Sequence, residues 1–291
     1  MKFKSFVTHL AYVEICRRLN ISGNLTTVDN KVVKLYNGNP LGGEGGRIEE
    51  GYSLFYLWGY KSAGIFQTQA QIDAWRQTHA DVNIGQVLGD PAKGYVYQPG
   101  DLYFQDIYGN PNQPKQRYSP TPDSIINSND RTFLGKTIPG FYYGLNIGAN
   151  WKGFDITALF QGVGDVKKYN YLRAGGEGIG GLANQWSTVL NRWTTQNTSG
   201  DIPRAVYNNP SDPSRSSDRY VESAAYLRLR NIQLGYSLNS NLLNQAGFIQ
   251  KLRFYITAVN LFTITKWTAL DPENDGIPPT RQFLFGINAS F

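Results

Sequence analysis

The feature that most constrains this chain is a twofold alternation of side-chain character that recurs in separate segments and runs up to the last residue. Residues 280–291 read TRQFLFGINASF, with Phe283, Phe285, Ile287, Ala289 and Phe291 on one parity and Gln282, Leu284, Gly286, Asn288 and Ser290 on the other. Successive side chains of a strand point to opposite sides, so the segment predicts one oily face and one mostly small or polar face. Residues 141–151 (FYYGLNIGANW) repeat the pattern with Phe141, Tyr143, Leu145, Ile147, Ala149 and Trp151. Lys152-Gly153 then gives a two-residue hairpin signal, and residues 154–162 return with Phe154, Ile156, Ala158 and Phe160 on the oily side. In residues 226–238, Leu227 and Leu229 share one parity while Ile232, Leu234, Tyr236 and Leu238 take the other. A β-bulge near Arg230-Asn231 would restore a single face. Leu252, Phe254, Ile256 and Ala258 continue the series, and residues 25–35 and 52–66 are weaker strand candidates, giving about seven to eight strands.

Such strands suit either a membrane barrel or the core of a soluble sandwich. Composition leaves both open: the chain is 41% hydrophobic with mean hydropathy −0.40, and its longest apolar run, near residues 54–58, is far too short for a membrane helix. A barrel strand needs only about 9–11 alternating residues, so low mean hydropathy does not exclude a membrane. The 14% aromatic content, mostly Tyr and Phe, favours β structure and supplies what interfacial girdles use. Connections between candidate strands alternate in length. Residues 152–153, 240–247 and the Gly-rich 37–50 are short, whereas 67–139, 164–221 and 263–279 are long. Outer-membrane barrels have this asymmetry, with tight periplasmic turns and extended outer loops.

Other classes find little support. The net charge of +6 is scattered, with no basic run longer than Arg17-Arg18 or Lys167-Lys168, which argues against a nucleic-acid partner. The single Cys16 excludes a disulfide framework, and His9 and His79 form no motif. Residues 1–20 lack the uninterrupted apolar centre of a secretory signal because Glu14, Arg17 and Arg18 interrupt it. The acids Asp271, Glu273 and Asp275 invite comparison with paired-carboxylate glycoside chemistry, but their context, DPENDGIPP, reads as a turn. No catalytic residue and no cofactor site is expected, so the reading is not an enzyme. Trp75, Trp186, Trp193, Tyr169, Tyr171, Tyr207 and Trp267 lie in the long segments, where they would either stack on a captured sugar or anchor the loops.

Several stretches resemble the carboxyl-terminal third of SusC/RagA-type TonB-linked outer-membrane receptors: WGYKSAGIF (58–66), PGDLYFQD (99–106), residues 129–163, AYLRLRNIQLGYSL (225–238), LRFYITAVNLFTITKW (252–267) and the final PPTRQFLFGINASF. The resemblance implies an all-β, antiparallel transmembrane barrel of 22 strands, of which residues 1–291 would supply about seven to eight, in the outer membrane of a Gram-negative cell. It further implies import of oligosaccharides or peptides, a SusD-like surface lipoprotein as partner, and a TonB complex acting on an amino-terminal plug. Plug and signal peptide are not expected within this sequence, so on this reading the chain is a fragment, inactive alone. Phe283, Phe285, Ile287, Ala289 and Phe291 resemble the signal read by the barrel-assembly machinery. Family members often carry a calcium-like loop between the equivalents of Asp106 and Asp130; here Tyr108 and a Pro-rich insertion interrupt that spacing, and an outer-loop turn with capping Asx residues is the competing expectation. The alternative function is a secreted β-sandwich or lectin-like glycan-binding module, in which the oily face would pack inside.

Overall fold

A computed structural model describes residues 2–10, 17–43, 46–81, 96–109, 120–179, 183–207, 216–239, 243, 248–274 and 277–291. It divides into two units, one comprising Met1–Lys31, Ile138–Lys167 and Ser223–Phe291, the other Val32–Thr137 and Lys168–Glu222.

The first unit is a seven-stranded antiparallel sheet in which every strand pairs with its neighbours in sequence. Its strands are β1 (Lys2–Leu10), β2 (Arg17–Asp29), β3 (Phe141–Trp151), β4 (Phe154–Gly164), β5 (Tyr226–Ser237), β6 (Lys251–Thr265) and β7 (Gln282–Ser290). The β3–β4 hairpin turns on Lys152 (φ 45°) and Gly153 (φ 87°), a pair of left-handed residues whose twist matches that of the flanking strands. A bulge lies where the parity break placed it: Leu159 pairs with Asn231 and Phe160 with Leu229, leaving Arg230 as the extra residue of β5. On β6 the compensating irregularity includes Asn260 (φ 53°), whose Oδ1 accepts a hydrogen bond from the Arg230 guanidinium at 3.1 Å.

Three expectations change. Residues 2–10 and 17–24 form strands that the parity reading did not identify, because residues 18, 20, 22 and 24 are Arg or small polar and 2–10 mix Lys, Ser, Thr and His with the apolar positions. Residues 30–35 and 52–66 contribute no strand to the large sheet; within the latter, Leu57–Gly59 and Ser62–Ile65 pair in ribbons of their own. Residues 37–50 are therefore not a turn between sheet strands but belong to one long connection, 30–140. With that correction short and long connections still alternate: 11–16, 152–153 and 238–250 against 30–140, 165–225 and 266–281. Among the described residues the sheet is open, with β1 and β7 paired on one side only. No described helix is long and apolar enough to cross a membrane.

The second unit is built from the long connections. Two short helices, α1 (Gln69–Arg76) and α2 (Tyr171–Glu177), accompany small ribbons, including Leu57–Gly59 with Thr132–Gly135 and Ser62–Ile65 with Leu102–Phe104. Helix α1 starts on a capping box: Thr68 Oγ1 accepts from the Gln71 amide while Gln71 Oε1 accepts from the Thr68 amide. Its one buried residue, Ile72, joins Phe66 and Tyr97, with Trp75 and Tyr103 packed against them. An adjoining cluster contains Tyr60, Leu102, Phe104 and Ile126. Aromatic rings replace a deep aliphatic core, as in the Phe66–Tyr103 stack at 3.9 Å between centroids.

Candidate functional site

The sheet is two-faced. Its register aligns side chains into cross-strand rungs: Ile21, Ile147, Ala158, Ile232, Ala258 and Phe283 in one, Leu19, Ala149, Ile156, Leu234, Ile256 and Phe285 in the next, and Trp151, Phe154, Tyr236, Phe254 and Ile287 in a third. Phe285 is 79% exposed, Ile287 64% and Phe154 57%, so no second sheet covers this face among the described residues. A contiguous apolar surface of this extent marks an interaction site or a membrane contact.

The opposite face carries polar side chains and fixed charge. Arg253 on β6 donates to both carboxylate oxygens of Asp155 on β4, at 2.9 and 2.5 Å, and also to Gln233 Oε1 at 2.9 Å. The two partners are separated by a whole strand. The ion pair crosses it because the residue between them is Gly235, where any Cβ would stand within 2.6 Å of both the guanidinium and the carboxylate. Gln233 Nε2 extends the network to Thr257 Oγ1 at 3.0 Å.

Towards the long-connection end of the same face lies a buried cation that sequence reasoning did not identify. Arg228 has no exposed surface; its guanidinium donates to Thr263 Oγ1 (2.9 Å), Glu273 Oε2 (2.8 Å) and Asp271 Oδ2 (2.5 Å), and lies 5.1 Å from the Tyr226 ring centroid. Asp271 Oδ1 accepts from the amides of Glu273 and Asn274, so one carboxylate both folds the turn and fastens it to the sheet. The acidic cluster thus does form the turn that its Pro and Gly context implied, with the added role of holding Arg228; Asp275 lies outside the described residues.

On β7, Phe283, Phe285, Ile287 and Ala289 are exposed on the apolar face, and Phe291 stacks on Phe248 at 6.3 Å with ring planes 2° apart.

In the second unit, Asp130 is fully buried, with Oδ1 accepting from the amides of Ile107 and Tyr108 (2.8 and 3.0 Å) and Oδ2 from that of Asn127 (2.7 Å). Burial pushes its carboxyl above the ordinary range against the pull of these three donors. Asp106 Oδ2 accepts from the Ser124 amide and Asp123 Oδ1 from that of Ile125. These carboxylates brace backbone in the manner of capping Asx residues, and Asn110 lies outside the described residues. No group of three His, Cys, Asp or Glu suited to a metal occurs among the described residues.

The seven aromatic candidates divide. Trp75 packs in the second unit's core, Trp193 donates its indole N–H to Gln67 O and packs over Gly100, and Trp267 is buried with Val166 and Ala224 in the first unit. Trp186 lies against Gly176, and Tyr169 against Tyr171 and Tyr220. Tyr171 and Tyr207, each 69% exposed, are the ones free to meet a ligand.

No family model matches the chain. It is 27% identical over 92% of its length to TonB-dependent receptor P3, and 29% identical over 93% to TonB-dependent receptor P39, both of Formosa agariphila. It is also 26% identical over 67% of its length to TonB-dependent receptor SusC of Bacteroides thetaiotaomicron. The solved RagAB peptide transporter matches 99% of the chain with a TM-score of 0.71 at 25% identity. Over most of its length the chain is similar to SusC/RagA-type TonB-dependent receptors. It spans 26–28% of the length of the two Formosa receptors and 28% of the matched RagAB chain.

Proposed function

We infer that residues 1–291 supply the carboxyl-terminal staves and outer loops of a 22-strand barrel in the outer membrane of a Gram-negative cell, serving TonB-dependent import of oligosaccharides or peptides. Transport, not catalysis, is the role. The observation that carries the reading is the apolar face of the sheet, exposed opposite a polar, charged one. In lipid every backbone polar group needs a partner within the protein, so the open edges at β1 and β7 call for further strands. On this reading the chain acts within a larger receptor whose plug engages a TonB complex, and a SusD-like lipoprotein closes it from outside. The peptide named for RagAB makes peptides a natural first substrate to assay. Phe283, Phe285, Ile287, Ala289 and Phe291 would be read by the barrel-assembly machinery before they meet lipid.

The test uses nitroxide labels on the receptor that carries this chain, reconstituted in bilayers. Labels at Leu234 and Phe285 should collide with dissolved oxygen and be shielded from a water-soluble nickel chelate, while labels at Gln233 and Thr157 should show the reverse. Equal protection of both sets from both reagents would mean that the apolar face is packed inside protein, and the importer reading would fail.

A further inference from the structure

The two carboxylates on Arg228 are not held alike. Asp271 is 5% exposed, with Oδ2 on the guanidinium and Oδ1 committed to the Glu273 and Asn274 amides, so it belongs to the turn. Glu273 is the outer partner. Its side chain is 46% exposed, yet the Arg228 Nη1 that it covers belongs to a residue with no exposed surface. An ion pair open to water on one side is weak, because the carboxylate regains hydration when it leaves. Its departure uncovers a guanidinium nitrogen that then needs another acceptor.

The groups around that nitrogen are polar and fixed by register. Gln161 is the partner of Arg228 on β4, and Thr263 its partner on β6, with the Thr263 hydroxyl accepting from Arg228 Nε at 2.9 Å. The Tyr226 phenol hydrogen-bonds to the Glu273 carboxylate and to the Gln161 side chain, and its ring centroid lies 5.1 Å from the guanidinium carbon. Beyond Gln161 the same rung reaches Gly144, where Asn24 leans across the space that a side chain would fill. A guanidinium N–H, a phenol and a side-chain amide gathered on one detachable carboxylate are the donors that a carboxylate from elsewhere would use.

We propose that Arg228 Nη1, the Tyr226 phenol and the Gln161 amide form a binding site for a carboxylate-bearing ligand, and that Glu273 is a tethered stand-in which the ligand displaces. The proposal rests on the importer reading, in which the polar face is the one that a solute meets, and adds to it a preference for acidic cargo. Two kinds of cargo carry the group: a peptide, through its terminal or side-chain carboxylate, and an oligosaccharide, through a uronic acid. One carboxylate leaves as another arrives, so the charge at the guanidinium is unchanged. Competition from so exposed a tether lowers the apparent affinity about two- to fivefold.

Isothermal titration calorimetry on the receptor carrying this chain, in detergent micelles, would compare a short alanine peptide with its C-terminal amide, and a galacturonic acid trisaccharide with its neutral galactose counterpart. Glu273→Gln should tighten binding of the acidic member of a pair about two- to fivefold and leave the neutral member unchanged, a gain that a misfolded receptor does not produce. Tightening in the peptide pair alone names peptide carboxylates as the occupant, and in the sugar pair alone uronates; either supports the site. Adding Tyr226→Phe, which alters no charge, should take back the gain. A gain that survives Tyr226→Phe would place the effect in general surface charge and overturn the site. Equal binding of acidic and neutral members, before and after Glu273→Gln, would also overturn it. The nitroxide pattern on the two faces needs no ligand, so it judges the importer reading separately.

Discussion

Replacing Arg228 by Ala tests whether the 266–281 connection is held to the sheet by one buried cation. The guanidinium is fully buried, and Asp271 is 5% exposed, so truncation leaves an uncompensated carboxylate in a dry site. Removing one partner of a buried pair costs about 3–5 kcal/mol. Glu273 differs from Asp271 although both touch Arg228. Its side chain is 46% exposed and can return to water, so Glu273→Gln should cost less than about 1 kcal/mol. Asp271→Ala falls between the two, because it loses both the ion pair and the acceptor for the Glu273 and Asn274 amides, while Arg228 keeps Thr263 and Glu273. The assay is equilibrium urea unfolding of the receptor in lipid vesicles, followed by limited proteolysis within 266–281. Arg228→Ala should lower stability most and open that segment to cleavage, with Glu273→Gln close to wild type. Equal, small effects of all three changes would refute the clasp.

Gly235→Val should separate Arg253 from Asp155, since a Cβ there meets both groups, and should destabilise the sheet by about 1–3 kcal/mol, read in the same unfolding assay. Leu234→Arg, on the apolar face, should cost about 2–4 kcal/mol in bilayers if the rung lies near the midplane, whereas Gln233→Arg on the other face should be mild. Deleting Phe291 should slow insertion by the barrel-assembly machinery in a reconstituted assembly assay; an unchanged rate would sink that assignment. Burial raises the Asp218 carboxyl above its ordinary 3.8 despite the Ser62 amide that it accepts. Protonation therefore favours the folded second unit: its contribution is full below 3.8 and is lost as pH rises through the raised value, a slope that Asp218→Asn should flatten in pH-dependent melting.

What could be read along the chain was whatever depends on neighbours in sequence. Alternation located β3 to β7, the Lys152-Gly153 pair located a hairpin, and a parity break located the bulge at Arg230, because side-chain direction in a strand repeats every two residues whatever its partners are. The same rule failed for residues 2–10 and 17–24, where polar residues on one parity and sparse apolar ones on the other blur the period; β2 owes its place to pairing with β3, and β1 to pairing with β2. In 52–66 it found strand character, but the strands there are two short ones that pair outside the large sheet beside an aromatic core.

Tertiary structure alone decided the rest. Arg253 reaches Asp155 across Gly235, Arg228 gathers Asp271 and Glu273, and Asp130 collects amides from Ile107, Tyr108 and Asn127. Each depends on register between segments far apart in the chain, which no local pattern encodes. The sequence by itself determined that this protein makes strands with one oily and one wet face; only the pairing of those strands turned the oily residues into a continuous surface and set the charges where they neutralise one another. The physical reason is that periodicity is a property of one strand, whereas a face and a buried ion pair are properties of several held in register.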